Sequence, residues 1–241
     1  YKAIKYARND EAQAVFGACI CVARGAAQAL NFNALVILLP ICRHFMTFLR
    51  STKLRFLFPF DAQLEIHILV GIVFGLFSLA HFSAHMCDFH RFASASEEDI
   101  YALFGNKLGP VPESGSERWA LLLGTRAGIT GIIMTVCIIA AYVCIYFRRK
   151  KFNVFWYMHH LLLVMLVALC IHGTDSLLEG YQSVFWLIAP FALYFIPRFL
   201  RETPFSSMKV IEARIKPGPV AQLKLERPKH WDKRVQAGMY G

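Results

Sequence analysis

The chain has 241 residues, of which 56% are hydrophobic and 17% charged, and carries a formal net charge of +10. Several apolar runs reach the length of about 20 residues that crosses a hydrocarbon core, so a membrane protein is expected rather than a water-soluble domain. The positive charge does not indicate nucleic acid: ten of the 26 basic residues fall in 198–241, after the last apolar run, against four acids. The aromatic and base-reading motifs of a nucleic-acid groove are absent, and the segment suits a cytosolic face meeting anionic lipid headgroups or a docked partner domain.

The chain starts at Tyr1 without the basic, apolar, small-residue pattern of a signal peptide, and a segment upstream is expected. Five spans are predicted, at about 13–48, 66–86, 119–147, 154–173 and 183–200. The first is longer than one crossing needs and is interrupted by Arg24 and Asn31-Phe32-Asn33, so its upper part is expected to tilt or to stand proud of the bilayer. The loop at 50–66, with Arg50, Lys53 and Arg55, and the Arg-Arg-Lys-Lys loop at 148–151 belong on the cytosolic side by the positive-inside rule. Residues 87–118, with six acids against three bases, and 174–183, with neither Lys nor Arg, then face out. Lys2, Lys5 and Arg8 would also lie outside, a conflict that an upstream helix would resolve.

Seven cysteines are scattered, mostly within apolar runs, and none forms a CxxC or CxxCH pattern. Zinc ribbons, iron–sulfur clusters and covalently attached haem are therefore disfavoured. The default role is that of small buried apolar residues. An external disulfide from Cys87 to Cys19 or to Cys21 stays open beside it.

The informative pattern is in the histidines. His67 and His81 lie fourteen residues apart in one apolar run, and His159 and His172 thirteen apart in another. At 1.5 Å per residue, such a spacing sets two ligands about 20 Å apart along the bilayer normal. Two runs of this kind read as the axial ligands of two stacked haems. Both helices follow cytosolic loops, so the pairs are His67 with His159 near the cytosol and His81 with His172 near the outside. Bis-imidazole ligation leaves no open iron position and favours electron transfer.

Helix phase bears on the assignment. Fourteen residues return within about 40° of the same face, whereas thirteen leave His172 about 140° from His159, so a bulge or strong distortion is expected within 160–171. His160 fits no better, at about 120°, and phase alone does not choose between them.

Other polar residues in the spans follow from these pairs, because an ionisable group in hydrocarbon is costly. His85 lies one turn beyond His81, and Arg24 sits at a similar level on the first span. Facing the outer haem edge, they would form a small cationic, hydrogen-bonding pocket able to stabilise a developing anion; otherwise His85 is an interfacial histidine, and Arg24 snorkels or binds a propionate. Arg43 and Arg50 are candidates for the inner haem's propionates and Arg126 for the outer ones. From Met208 the period changes to strand, turn, strand through KVIEARI, Pro217-Gly218-Pro219 and VAQLKLER.

The chain resembles the membrane domain of NADPH oxidases, most closely the respiratory burst oxidase branch. The resemblance is carried by CVARGAAQALNFNALVILLPICRHFMTFLR (21–50), PFDAQLEIH (59–67), AHFSAHMCDFHRF (80–92), AGITGIIM (127–134) and FNVFWYMHHLLLVMLVALCIHG (152–173). It implies an all-α integral membrane helical bundle over 1–203, holding five spans of a six-helix ferric reductase-like domain. The first strands of a truncated FAD-binding β-barrel would follow over 204–241, up to Gly238-Met239-Tyr240-Gly241. It implies two haems b on His67, His81, His159 and His172, which selects His159 over His160 and leaves His160 a packing or carbonyl-bonding role. It also implies Arg24 and His85 at an oxygen site, and passage of electrons from cytosolic NADPH through FAD and both haems to molecular oxygen, releasing superoxide. At the position where the family often has an aromatic residue between the haems, this chain has Met165, so direct haem-to-haem tunnelling is expected.

The FAD and NADPH motifs of the resembling proteins are not in this sequence, so a dehydrogenase domain is an expected partner, beside membrane lipid and regulatory domains or a second copy of the chain. A plasma-membrane location is expected. The competing readings are a ferric- or cupric-chelate reductase, which would need a wide open mouth where the long 87–118 loop suggests a lid, and a non-catalytic haem-binding subunit.

Overall fold

A computed structural model describes residues 1–202, 210–218 and 220–226. The described part is mostly helical, with five helices long and apolar enough to cross a membrane, at Ala18–Ile41, Phe60–Ser94, Arg126–Ile145, Phe152–His172 and Ser183–Leu200. A two-stranded sheet lies near the C-terminus. The chain divides into two compact units, one of Tyr1–Ile37 and Ile68–Ala189, the other of Leu38–His67 and Pro190–Gly241.

The first unit begins with two short helices, α1 (Lys2–Ala7) and α2 (Asp10–Phe16). Asn9 caps α2 by accepting from the Ala12 amide, and Asp10 and Glu11 favour its positive end. Gly17 ends it with φ of +60°, a conformation that favours glycine. The long helix α3 (Ala18–Leu38) follows. The stretch 13–48, expected as one span, is thus divided at Gly17 and again at the 3₁₀ turn Leu39–Ile41, before α4 (Arg43–Arg50). Pro40, which has no amide hydrogen to continue the ladder, is the physical reason for the second break. Neither Arg24 nor Asn31-Phe32-Asn33 interrupts the helix, and the Asn33 amide donates to the Ala29 carbonyl instead of competing with it.

The next span, α5 (Gln63–Ser94), is 32 residues long. At 1.5 Å per residue that is about 48 Å, against about 30 Å of hydrocarbon, so it projects well beyond the bilayer. Its far end enters a compact cap with α2, α6 (Glu97–Phe104) and α7 (Gly115–Gly124). Phe16, Phe92 and Phe104 meet there with ring centres 6.0–6.2 Å apart, surrounded by Val15, Ile20, Ile100 and Leu122. Each such ring, withdrawn from water, contributes about 2 kcal/mol. Buried Arg118 holds the intervening loop by donating to the carbonyls of Pro112 and Ala95.

The stretch 119–147, also expected as one span, is α7 followed by α8 (Arg126–Ile145). Thr125 makes the division: its hydroxyl donates to the Leu122 carbonyl, closing α7, and accepts from the Gly128 amide, opening α8. The apolar stretches on either side, with only Arg126 charged between them, hide this cap from a hydropathy reading. The next crossing is α9 (Phe152–His159) and α10 (Leu161–His172), separated at His160. The distortion that helix phase requires between His159 and His172 therefore falls at the start of the interval, where Leu163 N–H bonds the His160 carbonyl three residues back. The last span is α11 (Ser183–Glu202), with Pro190 and Pro197 inside it.

In the second unit, Cys42, Met46 and Phe60 are buried, and Arg50 pairs with Asp61 at 2.9 Å. Strands β1 (Val210–Lys216) and β2 (Val220–Leu225) pair antiparallel, from Val210 opposite Leu225 to Lys216 opposite Val220, around Gly218 at φ +88°. The segment Gly238–Gly241, compared above with a flavin barrel, lies outside the described residues.

Candidate functional site

In the first unit, α3, α5, α8 and α10 surround a cavity of about 450 Å³. Arg24, His81, His85 and His172 all line it, so these four outer-site candidates come together, and Met165, expected between the two sites, lines it as well. The imidazole centres of His81 and His172 are 6.4 Å apart. His81 Nδ1 lies 2.9 Å from the Ala23 carbonyl, which only accepts, so Nδ1 carries the hydrogen and Nε2 keeps its lone pair. His172 Nδ1 lies 2.9 Å from Thr130 Oγ1, whose own hydrogen goes to the Arg126 carbonyl at 2.6 Å; Nδ1 therefore donates here as well. Both rings thus present a basic Nε2.

These features fit a haem. An imidazole nitrogen ligates a first-row metal at about 2 Å and lies ~1 Å from its own ring centre, so two imidazoles on opposite sides of one iron stand about 6 Å apart. Among the described residues no group of three or more His, Cys, Asp or Glu side chains is placed to hold a metal ion. Two histidines with fixed tautomers are the number of protein ligands that a porphyrin-bound iron accepts.

His85 packs on His81, with ring centres 4.4 Å apart and planes at 80°. The Arg24 guanidinium stands over the Tyr6 ring at 5.2 Å, and its buried Nε has no hydrogen-bond partner among the described residues. A cation held on a ring face with an unused donor is suited to receive an anion. Met165 is buried and fills the inner part of the cavity wall, where its thioether adapts to an irregular surface.

The remaining predicted residues lie elsewhere. His159 stacks on Phe155 with ring centres 5.2 Å apart. His67 is half-buried in the second unit, where Arg43 is exposed at the start of α4. Arg50 is engaged by Asp61, as above. Arg126 is exposed at the start of α8, with Nε 3.3 Å from Asp175, and it does not line the cavity. His160 Nδ1 donates to the Trp156 carbonyl at 2.7 Å. Of the cysteines, Cys19 and Cys87 form a disulfide with Cα atoms 6.1 Å apart; Cys21, Cys42, Cys137, Cys144 and Cys170 are free.

Sequence reasoning passed over Thr130, Asp88 and Tyr6. Thr130 lies in the AGITGIIM stretch, but only the tertiary structure aims its hydroxyl at His172. Asp88 counted as one of six outer acids and is in fact 1% exposed. Tyr6 lies ahead of the first span, where no periodicity marks it as a support for Arg24.

Residues 24–170 match the family model described as ferric reductase like transmembrane component. Respiratory burst oxidase homolog protein D of Arabidopsis thaliana is 38% identical over 252 residues, covering 95% of this chain and 26% of the relative. Homolog protein A of the same plant and homolog protein C of Solanum tuberosum are each 33% identical over the whole chain, which covers 28% and 27% of their lengths. The chain therefore spans about a quarter of these relatives. It belongs to the ferric reductase-like transmembrane family, as an integral membrane protein homologous along its length to the plant respiratory burst oxidases.

Proposed function

We propose that this chain is the membrane-crossing electron path of a superoxide-forming NADPH oxidase, carrying electrons from cytosolic NADPH and FAD on a dehydrogenase domain to oxygen outside a plasma membrane. The observation that carries the reading is the His81–His172 pair, with both Nδ1 atoms committed and ring centres at bis-imidazole separation. When bound, two b-type haems supply one-electron carriers spaced across the bilayer. His81 and His172 would hold the outer one and His67 and His159 the inner one. Ala23 and Thr130 keep the outer imidazoles in the ligating tautomer.

Arg24 and His85 bind and stabilise the anion that forms when oxygen takes one electron, through a guanidinium donor and an imidazole edge. The apolar wall, with Phe74 and Leu169, excludes water and strengthens those interactions. Met165 packs the interval between the two sites rather than serving as a redox stop. Oxygen is favoured over a chelated metal because Phe104 and the joined Lys2 and Glu179 line the cavity on its outer side.

Pyridine haemochrome on the purified chain tests the reading. Two haems b per chain are expected, falling toward one in His81→Ala and in His172→Ala. A well-folded chain without haem would end it.

A further inference from the structure

Asp88 is 1% exposed and lines the same cavity as Arg24 and His85. Burying a carboxylate costs several kcal/mol unless partners compensate it, and neither Asp88 oxygen has an aligned hydrogen-bond donor among the described residues. One group is close to it. His85 Nδ1, three residues back on the same face of α5, lies 3.1 Å from Asp88 Oδ2. The cations that act on the carboxylate are Arg24 and Arg91. Arg91 is seated over Gly17, where a Cβ would fall 2.7 Å from its Cζ. The adjacent Cys87 is tied to Cys19, five residues before Arg24, so one covalent link fixes the turn bearing Asp88 against the helix bearing Arg24.

A carboxylate facing Nδ1 of an imidazole selects the Nδ1–H tautomer and turns Nε2 the other way. We propose that Asp88 is the positioning residue of the acceptor pocket: its carboxylate, 3.1 Å from His85 Nδ1 and short of full hydrogen-bond alignment, draws the Nδ1 hydrogen of His85 toward itself and so directs Nε2 of His85 into the cavity beside Arg24. This rests on the reading of Arg24 and His85 as the oxygen site. Asp88 does not touch oxygen itself, and its effect passes through His85.

The test uses the haem-loaded chain in lipid nanodiscs, reduced without air and mixed with buffers of increasing oxygen. Reoxidation then yields a saturating rate and a half-saturating oxygen concentration. Asp88→Ala is expected to raise the half-saturating concentration about fivefold and change the saturating rate less than twofold, as loss of a binding interaction does. Asp88→Asn keeps an acceptor oxygen and is expected to stay within about twofold of the parent. In a His85→Ala background, Asp88→Ala should add nothing.

A second readout is independent of oxygen. In ¹⁵N-histidine solid-state NMR, the resonance lost in His85→Ala should leave the Nδ1–H tautomer range in Asp88→Ala and remain there in Asp88→Asn, the variant that carries the test if the alanine loses its haem. A resonance unmoved in Asp88→Ala, one that leaves the Nδ1–H range in Asp88→Asn, or Asp88→Ala additive with His85→Ala, overturns the proposal. A His85→Ala chain with unchanged oxygen saturation overturns the acceptor-site reading instead, and the proposal falls with it.

Discussion

Each imidazole at the outer site spends one nitrogen on the protein, and the two partners differ in how easily they can be removed. Ala23 offers a backbone carbonyl, which no substitution deletes, whereas His172 depends on the Thr130 hydroxyl. Thr130→Val keeps the shape of the side chain and removes the acceptor, leaving a buried N–H unpaired at a cost of about 1–3 kcal/mol. Outer-partner substitutions at histidine ligands typically lower affinity 10–100-fold, and with His172 as the proposed ligand a loss of haem affinity of about that size is expected. Haem transfer to apomyoglobin measures it: the outer haem should leave Thr130→Val faster, while Thr130→Ser holds it.

Where helices cross, the smallest residues decide the spacing. The Tyr142 hydroxyl on α8 donates to the Gly71 carbonyl on α5, and its ring covers Gly75, where a Cβ would fall 2.7 Å from Cζ. Gly75→Ala is expected to push the phenol off Gly71 and destabilise the chain by about 1–3 kcal/mol through overpacking. Truncating the ring in the double variant Gly75→Ala, Tyr142→Leu should recover part of the loss, read as the thermal unfolding midpoint in detergent. Contacts of this kind explain what the sequence could and could not convey. The apolar runs and the histidine spacing were legible because hydropathy and 1.5 Å per residue act locally: the runs pointed to five candidate spans, and the spacing to His81 and His172, whose ring centres lie 6.4 Å apart. The breaks at Gly17, Pro40 and Thr125 were signalled by residue type, but the long apolar stretches on both sides masked them. Tyr142 over Gly75, Thr130 on His172 and Asp88 beneath His85 depend on which faces meet, and no period along one helix records that.

Across the whole first unit, the outer end is tied together by links between distant parts of the chain. One is the Cys19–Cys87 disulfide, in keeping with an oxidising exterior. The other is ionic: Lys2 and Lys5 of α1 both bond Glu179, in the loop before α11, and Lys2 and Glu179 each keep little exposed side chain. Burial alone would raise the Glu179 carboxyl, but the hydrogen bonds from Lys2 and Lys5 outweigh it and hold the group below its ordinary 4.5. Lys5 is held above its ordinary 10.5 by its hydrogen bond and attraction to Glu179. A carboxyl with a lowered folded value contributes stability above 4.5 that is lost as pH falls through that folded value. A raised lysine contributes stability below 10.5 that is lost as pH rises through its own folded value. The clasp is therefore complete between these limits and weakens outside them on either side. Glu179→Gln removes the charge and should flatten the acid side of the unfolding midpoint against pH. At pH 7 it should cost about 1 kcal/mol, the scale of a hydrogen-bonded ion pair near the surface. Glu113→Gln, on an exposed loop, should leave both the acid limb and the pH 7 midpoint unchanged.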